Sequence, residues 1–205
     1  PLRRRPPRHS QLMSRRIAIY GGSFDPPHLG HVLVTAWALS ACAFDAVWVF
    51  PVFKHRFDKQ VSDFESRLAL CRLAFAVFGA QVEVRDDERR LVQAGGSGAT
   101  VELIEHLLAT GAATQGDAWQ PELLIGSDQV DKLNLWHRAD ELLALAPPVI
   151  VARQGTGTGA AADIVIPNIS STAVRAALAT GAVPRAWLPA AVADALALQM
   201  GRHGN

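Results

Sequence analysis

The stretch IAIYGGSFDPPHLGH, residues 17–31, decides how the rest of the chain folds. It begins with a short apolar run rich in β-formers, and an Ala-rich run with helical character follows at residues 32–43. Between them, Gly21 and Gly22 favour a tight turn that lets a ligand approach the backbone closely. Because the first N–H groups of a helix have no partner within it, this strand–turn–helix order predicts an anion site.

Two histidines lie three residues apart in the same stretch. His28 and His31 share one face if the first helical turn begins there. Imidazoles beside an anion site can stabilise charge on a phosphate that is being transferred. The same spacing is also found in surface pairs and in half of a metal site. Asp25 is followed by two prolines, so we expect it to hold the loop in place rather than to bind a metal.

Composition favours one globular domain. The 205 residues are 49% hydrophobic and 19% charged, which is ordinary for a soluble enzyme. No apolar run approaches the ~18–20 residues of a membrane span, so no membrane contact is expected. Cys42 and Cys71 each lie in an apolar run with no Cys-x-x-Cys. They are expected to be buried free thiols in a reducing, cytoplasmic location.

Charge is unevenly distributed along the chain. Residues 1–16 hold six of the 20 basic side chains and no acid, which leaves 14 basic against 19 acidic side chains in the remainder. This mildly acidic body argues against a nucleic-acid partner. Residues 1–14 are rich in Arg and Pro and lack apolar periodicity, so we expect a disordered extension there. Residues 15–205 would then form the domain.

Short apolar runs alternate with helical patterns along the rest of the chain. Strands are expected at residues 17–20, 46–50, 81–84, 123–125, 148–151 and 163–166, and helices at residues 32–43, 62–78, 100–110, 135–145, 173–180 and 190–200. Ser62 with Glu65 has the spacing of a capping box, Thr100 is a candidate helix cap, and residues 86–90 are interpreted as a charged loop. The alternation predicts an α/β fold with a parallel sheet and helices on both faces, in which ligands bind beyond the carboxyl ends of the strands.

A second candidate anion site lies at residues 169–175, Ile-Ser-Ser-Thr-Ala-Val-Arg. Ser170, Ser171 and Thr172 at a helix start offer hydroxyl groups and unpaired backbone N–H groups. Arg175 lies one turn further and can reach a phosphate with a planar fork of donors. Taken alone, the same pattern is more often a capped helix with a solvated arginine.

The motif GGSFDPPHLGH resembles the signature of nucleotidyltransferases with a His-x-Gly-His motif, and its long form is similar to that of the nicotinate-nucleotide adenylyltransferases. The resemblance implies a single-domain, Rossmann-like α/β fold that binds ATP at the sheet edge. Residues 169–175 are similar to the family's Ile-Ser-x-Thr-x-x-Arg motif, which holds the ATP β- and γ-phosphates. Gly126-Ser127-Asp128 resembles the family's Gly-x-Asp segment, which contacts the adenosine ribose.

The resemblance implies catalytic roles for His28, His31 and Arg175. It implies ATP contacts for Gly21, Gly22, Ser23, Phe24, Gly30, Gly126, Asp128, Ile169, Ser170, Ser171 and Thr172. The expected cofactor is Mg²⁺, which would bridge phosphate oxygens while keeping several waters. No carboxylate cage for it is visible in the sequence.

The acceptor side matches the family less closely. Trp136 falls where the family has a Trp beside the pyridine ring, although a helical Trp is more often a core residue. Thr100 resembles the threonine whose backbone N–H recognises the nicotinate carboxylate, with Ala99 in place of the usual aromatic residue. Residues 52–59 depart from the family's Pro-Pro-His-Lys-like run. The expected contacts to the acceptor phosphate are Lys54 and His55, with Arg56 and Lys59 as alternatives.

The reaction implied is the joining of ATP and nicotinate mononucleotide to give nicotinate adenine dinucleotide and pyrophosphate, in NAD biosynthesis. The acceptor phosphate would attack the ATP α-phosphorus directly, with no protein nucleophile. Nicotinamide mononucleotide, pantetheine phosphate and cytidylyl transfer stay open as alternatives. So does a non-catalytic nucleotide-binding module of the same fold. The oligomeric state is left open, a homo-oligomer included.

Overall fold

The computed structural model describes residues 14–54, 61–111, 118–151 and 167–203. It contains a five-stranded parallel sheet in the order β3-β2-β1-β4-β5. The strands are β1 (Arg15–Gly22), β2 (Ala46–Pro51), β3 (Val82–Val84), β4 (Trp119–Gly126) and β5 (Pro148–Val151). The predicted parallel sheet is confirmed, and β1 lies at its centre. The expected tight turn at Gly21 and Gly22 was wrong, because both glycines are the last residues of β1 and pair with Phe50 and Pro51 of β2.

Seven α-helices are described in the same ranges. They are α1 (Leu29–Ser40), α2 (Phe64–Phe75), α3 (Asp87–Gln93), α4 (Thr100–Ala109), α5 (Ala139–Leu145), α6 (Ser171–Ala179) and α7 (Ala190–His203). Short 3₁₀ segments follow α2 and β4 and precede α7. Among these helices, none combines the length and the apolar character that a membrane crossing needs.

The sheet separates two hydrophobic cores because successive strand residues point to opposite faces. Ala18 and Tyr20 of β1 join the core under α1, α2, α6 and α7, whereas Ile17 and Ile19 join the core under α4 and α5. Helices therefore cover both faces, as the alternating pattern predicts.

The prediction that both cysteines are buried free thiols is confirmed in part. Both are free thiols, and Cys71 is fully buried, but Cys42 is only half-buried.

Two predicted helix starts were wrong. Asp63, not Ser62, caps α2, and its Oδ1 accepts from the Ser66 N–H at 2.9 Å. The backbone of Ser62 is used elsewhere, because its N–H donates to Asp25 and its C=O accepts from Arg67. Thr100 is the first residue of α4 rather than its cap, a position that Ala99 holds.

Two other predictions, one of a loop and one of a helix, were also wrong. Residues 86–90 belong largely to α3 rather than to a loop, because acidic side chains favour a helix N-terminus and Asp87 binds Arg85. Trp136 is not helical: a 3₁₀ segment ends at Leu135, and α5 begins only after Arg138, whose φ is 51°. Residues 1–13, the expected strand at 163–166, and His55, Arg56 and Lys59 lie outside the described residues.

Candidate active site

A cavity of about 630 Å³ lies at the carboxyl ends of β1 and β4. Its walls come from the glycine end of β1 and the residues after it, the first turn of α1, the N-terminus of α4, the segment after β4 and the first turn of α6. Most of the predicted site residues line it. They are Gly21, Gly22, Ser23, Phe24, His28, His31, Lys54, Thr100, Gly126, Asp128, Trp136, Ser170, Ser171 and Thr172.

The two histidines form a stacked pair at the start of α1. Their ring centroids lie 3.8 Å apart, and His28 is almost fully buried. The His28 backbone N–H donates to His31 Nδ1 at 3.1 Å. Because a backbone N–H can only donate, Nδ1 of His31 must be unprotonated, so a neutral His31 carries its proton on Nε2. His31 thus offers one N–H donor in the cavity wall.

Gly30 lies behind this pair rather than in the cavity wall. A Cβ at Gly30 would lie 3.0 Å from the His28 ring and 3.8 Å from the backbone oxygen of Ile169. A Cβ at Gly21 would meet nothing within 4 Å. Gly21 therefore leaves room in the cavity, and Gly30 leaves room for the His28 ring.

The first turn of α6 presents backbone donors to the cavity. Ser170 caps the helix, with its Oγ accepting from the Ala173 N–H at 3.1 Å. The Ser171 hydroxyl donates to the backbone oxygen of Pro26 at 2.9 Å. The N–H groups of Ser171 and Thr172 have no partner within the helix, so they are the groups that an anion would meet.

Arg175 is placed differently from the prediction. Its Nη1 donates to the backbone oxygen of Asp25 at 2.6 Å and lies 3.6 Å from the Asp25 carboxylate, and the side chain does not line the cavity. The buried Asp25 carboxylate also accepts from the Ser62 N–H at 3.2 Å. Asp25 therefore holds the loop, as predicted, and Arg175 joins the two phosphate motifs across 150 residues of sequence.

The acceptor residues come from separate segments at the other end of the cavity. Thr100 opens α4, whose first N–H groups have no helical partner. Trp136 is half-buried and extended, with φ −73° and ψ 150°. Lys54 is exposed. Asp128, the predicted ribose contact, accepts a hydrogen bond from the Gln129 side chain at 2.7 Å.

Two buried charged residues near the cavity were missed by sequence reasoning. Glu88 lines the cavity and is only 8% exposed, and burial raises its pKa to about 7. Arg67 is fully buried, donates to the backbone oxygens of Ser23 and Ser62, and has its pKa lowered by burial. Glu88 lies in the run at residues 86–90 that was interpreted as a charged loop, and Arg67 was given no role of its own. The three consecutive acidic residues 86–88, directly after a strand and an arginine, were the available signal.

The described residues contain no cluster of three or more His, Cys, Asp and Glu side chains that could hold a metal ion. This gives no support to the alternative in which His28 and His31 are half of a metal centre.

The family model described as cytidylyltransferase-like matches residues 19–177. A probable nicotinate-nucleotide adenylyltransferase of Anaeromyxobacter dehalogenans (strain 2CP-C) is 37% identical over 182 residues, covering 85% of this chain and 90% of the relative. A probable nicotinate-nucleotide adenylyltransferase of Myxococcus xanthus (strain DK1622) is 31% identical and covers 92% and 95% of the two chains.

Solved structures show the same fold. A putative nicotinate-nucleotide adenylyltransferase from Vibrio parahaemolyticus superposes with a TM-score of 0.66 at 24% identity, covering 90% of this chain and 99% of that chain. Nicotinic acid mononucleotide adenylyltransferase from Plasmodium falciparum, complexed with NaAD, superposes with a TM-score of 0.67 at 18% identity, covering 88% and 93%. The Rossmann-like α/β architecture is thereby confirmed.

Proposed function

This chain belongs to the cytidylyltransferase-like family, among its nicotinate-nucleotide adenylyltransferases, and we propose that His31 and the first turn of α6 bind the ATP phosphates during its reaction. The reaction joins ATP and nicotinate mononucleotide to give nicotinate adenine dinucleotide and pyrophosphate. It is a step of NAD biosynthesis. A cytoplasmic location and a homo-oligomeric state stay predictions.

One observation carries the residue assignment. The histidine pair and the first turn of α6 line the same cavity, although about 140 residues separate them in the sequence. Ser171 binds Pro26 and Arg175 binds Asp25, so the two motifs are held against each other by direct hydrogen bonds. Two groups of N–H donors therefore converge on one volume, which suits a triphosphate.

The attacking group is the 5′-phosphate of the acceptor, which is already an anion. The step needs no protein base, and catalysis depends on alignment and on stabilising the charge that spreads over the α-phosphate and the leaving pyrophosphate. The Nε2–H of His31 donates to the α-phosphate end. The Ser171 and Thr172 N–H groups hold the pyrophosphate end. His28 fixes His31 by stacking on it and by donating to its Nδ1.

The remaining family contacts are part of the same proposal. The nucleotide is bounded by the end of β1 and the residues after it, Gly21, Gly22, Ser23 and Phe24, and Gly126 and Asp128 lie where the family contacts the ribose. The residues behind this wall, which do not line the cavity, are Gly30, Ile169 and Arg175. Arg175 reaches a phosphate only if its bond to Asp25 is exchanged for one to the ligand.

The acceptor lies at the opposite end of the cavity. The Thr100 N–H, at the positive end of α4, recognises the nicotinate carboxylate, and Trp136 borders the pyridine ring. Lys54 contributes a cation toward the acceptor phosphate. The neighbouring candidate His55 lies outside the described residues.

A divalent cation accompanies ATP in this family, and we assign Mg²⁺ as that ion. The described residues fit a cation that is carried by the nucleotide, because Asp25 already binds Ser62 and Arg175 and no carboxylate cluster is present among them. When bound, the ion neutralises phosphate charge.

The test is the initial rate of pyrophosphate release with ATP and Mg²⁺, with nicotinate mononucleotide and nicotinamide mononucleotide offered side by side. A large preference for the acid form is expected. Comparable rates would keep adenylyl transfer but contradict recognition by the Thr100 N–H. Nucleotide binding without turnover on any acceptor would identify a non-catalytic module and overturn the proposal.

A further inference from the structure

Glu88 occupies an unusual position for a carboxylate. It lies in the first turn of α3, is 8% exposed, and lines a cavity whose substrates are both anions. Burial raises its pKa to about 7, so half of the side chains are ionised near neutral pH. A buried negative charge at this position costs stability and repels phosphate, and neither the phosphate motifs nor the acceptor contacts account for it.

The Glu88 carboxylate forms its hydrogen bonds with backbone N–H groups. Glu88 Oε1 accepts from the Phe53 N–H at 2.9 Å and lies 3.5 Å from the Lys54 N. Residues 53–54 follow β2 directly, and no strand or helix of their own orders them. The hydrogen bonds from Glu88 therefore anchor the segment that carries Lys54.

The same carboxylate also borders the start of α4. A Cβ placed on Gly98 would lie 3.8 Å from Glu88 Oε1 and 3.8 Å from Lys54 Cβ, so the three residues pack against one another. Gly98 has a φ of +80° and lies two residues before Thr100. Glu88 thus contacts both segments that reach the acceptor end of the cavity.

We propose that Glu88 is a positioning residue for the acceptor: its carboxylate fixes the backbone at Phe53 and Lys54 relative to the N-terminus of α4. It acts through these segments and does not touch the reacting atoms. The inference rests on the proposed function, since it assigns Lys54 and Thr100 to the acceptor. Glu88 is therefore expected to affect the KM for the mononucleotide rather than the KM for ATP.

The ionised carboxylate is the stronger anchor, because hydrogen bonds to a charged acceptor are about twice as strong as neutral ones. Arg67 on α2 is the charged side chain from another packed element that acts on Glu88, and its charge lowers the Glu88 pKa against the effect of burial. Arg67 keeps its charge throughout the range from pH 6 to pH 8. Within that range the anchor is expected to weaken as the pH falls.

The experiment measures KM for nicotinate mononucleotide and for ATP at pH 6 and pH 8 in the wild type, Glu88→Gln and Glu88→Ala. Glu88→Ala should raise the KM for the mononucleotide about tenfold, with the KM for ATP within about twofold. Glu88→Gln keeps an acceptor oxygen but no charge. Its mononucleotide KM should exceed that of the wild type by about fourfold at pH 8 and converge with it at pH 6.

The mononucleotide phosphate also titrates in this pH range, but equally with the variant and with the wild type. The ratio of the two KM values at each pH therefore reports only the difference between the proteins. Glu83→Gln is the matched control, because Glu83 is an exposed carboxylate that pairs with Arg85 at the surface. If Glu88→Ala does not fold, the mononucleotide KM of Glu88→Gln still tests the proposal.

A mononucleotide KM that is unchanged in Glu88→Gln and Glu88→Ala at pH 8 would overturn the proposal. So would an equal rise in the KM for ATP, or a fall in the mononucleotide KM that showed Glu88 only repels the acceptor. Failure of the proposed function looks different: the wild type itself would release no pyrophosphate with nicotinate mononucleotide, and the Glu88 proposal would fall with it.

Discussion

The two ends of the cavity are built in different ways. At the phosphate end, two short motifs about 140 residues apart each fix their own geometry, by the His28 N–H to His31 and by the Ser170 cap of α6. At the acceptor end, Lys54, Glu88, Thr100 and Trp136 come from four segments spread over more than 80 residues. A local motif can be recognised in a sequence, whereas an assembled wall depends on how the segments pack.

The charges at the two ends also differ. The phosphate end uses uncharged donors, namely backbone N–H groups and a neutral imidazole. The acceptor end depends on a buried carboxylate that costs stability where it lies. We expect substitutions at the first end to act on kcat and substitutions at the second end to act on KM or on stability.

The sharpest test of the phosphate end is His31→Asn. The Asn Oδ1 can accept from the His28 N–H as Nδ1 does now, but the Nε2–H donor is lost. We expect kcat to fall by at least ~10²-fold with the fold intact, as on removal of one preorganised donor. Steady-state kinetics and thermal melting check it, with His106→Ala on α4 as the control. Near-normal turnover of His31→Asn would mean that His31 only caps the helix.

The stability cost at the acceptor end is measured by Glu88→Gln. Burial raises the Glu88 pKa above its unfolded value of 4.5, to about 7, so the contribution of this group is fully present below pH 4.5 and is lost as the pH rises through 7. The Gln variant, which never ionises, should be more stable than the wild type by roughly 2–3 kcal/mol at pH 8 and equal to it near pH 4. Urea unfolding at both pH values checks the sign. A Gln variant less stable at pH 8 would contradict the burial argument.

Recognition by a backbone group is tested by Thr100→Pro. Thr100 is the first residue of α4 and Ala99 has φ −76° and ψ 139°, so proline is compatible with the helix start and removes the N–H together with the hydroxyl. We expect the preference for nicotinate over nicotinamide mononucleotide to fall about tenfold. Thr100→Ala keeps the N–H and should leave the preference unchanged. Equal loss in both variants would assign the role to the hydroxyl.

The smallest effects are expected from substitutions of two glycines at the phosphate end, Gly30 and Gly21. Gly30→Ala places a Cβ 3.0 Å from the His28 ring, so it should cost about 1 kcal/mol of stability and several-fold in kcat. Gly21→Ala meets nothing within 4 Å and should leave stability unchanged while raising the KM for ATP about threefold. Identical profiles for the two variants would show that the two glycines do not serve separate purposes.

Sequence reasoning failed where a side chain is used by a distant segment. Ser62 has the spacing of a capping residue, but its backbone binds Asp25 and Arg67, so the cap moves to Asp63. Glu88 lies in a charged run typical of a solvated surface, and only the packing of α3 against residues 53–54 buries it. Arg175 was expected at a phosphate; its side chain binds Asp25 in this structure, and its phosphate contact stays a prediction. Asp25 lies far from Ser62 and from Arg175 in the sequence, and residues 53–54 lie far from Glu88.

The sequence by itself determined the parallel α/β sheet, the two candidate anion-binding motifs and the family. Strand and helix periodicity, the glycine pair and the helix N-termini are local properties, and each is encoded within about ten residues. Only the tertiary structure decided that His31 offers Nε2 as its donor, that Arg175 joins the two motifs and that Glu88 is buried in the cavity wall. These depend on distances between segments and on loss of solvent, which no local pattern encodes.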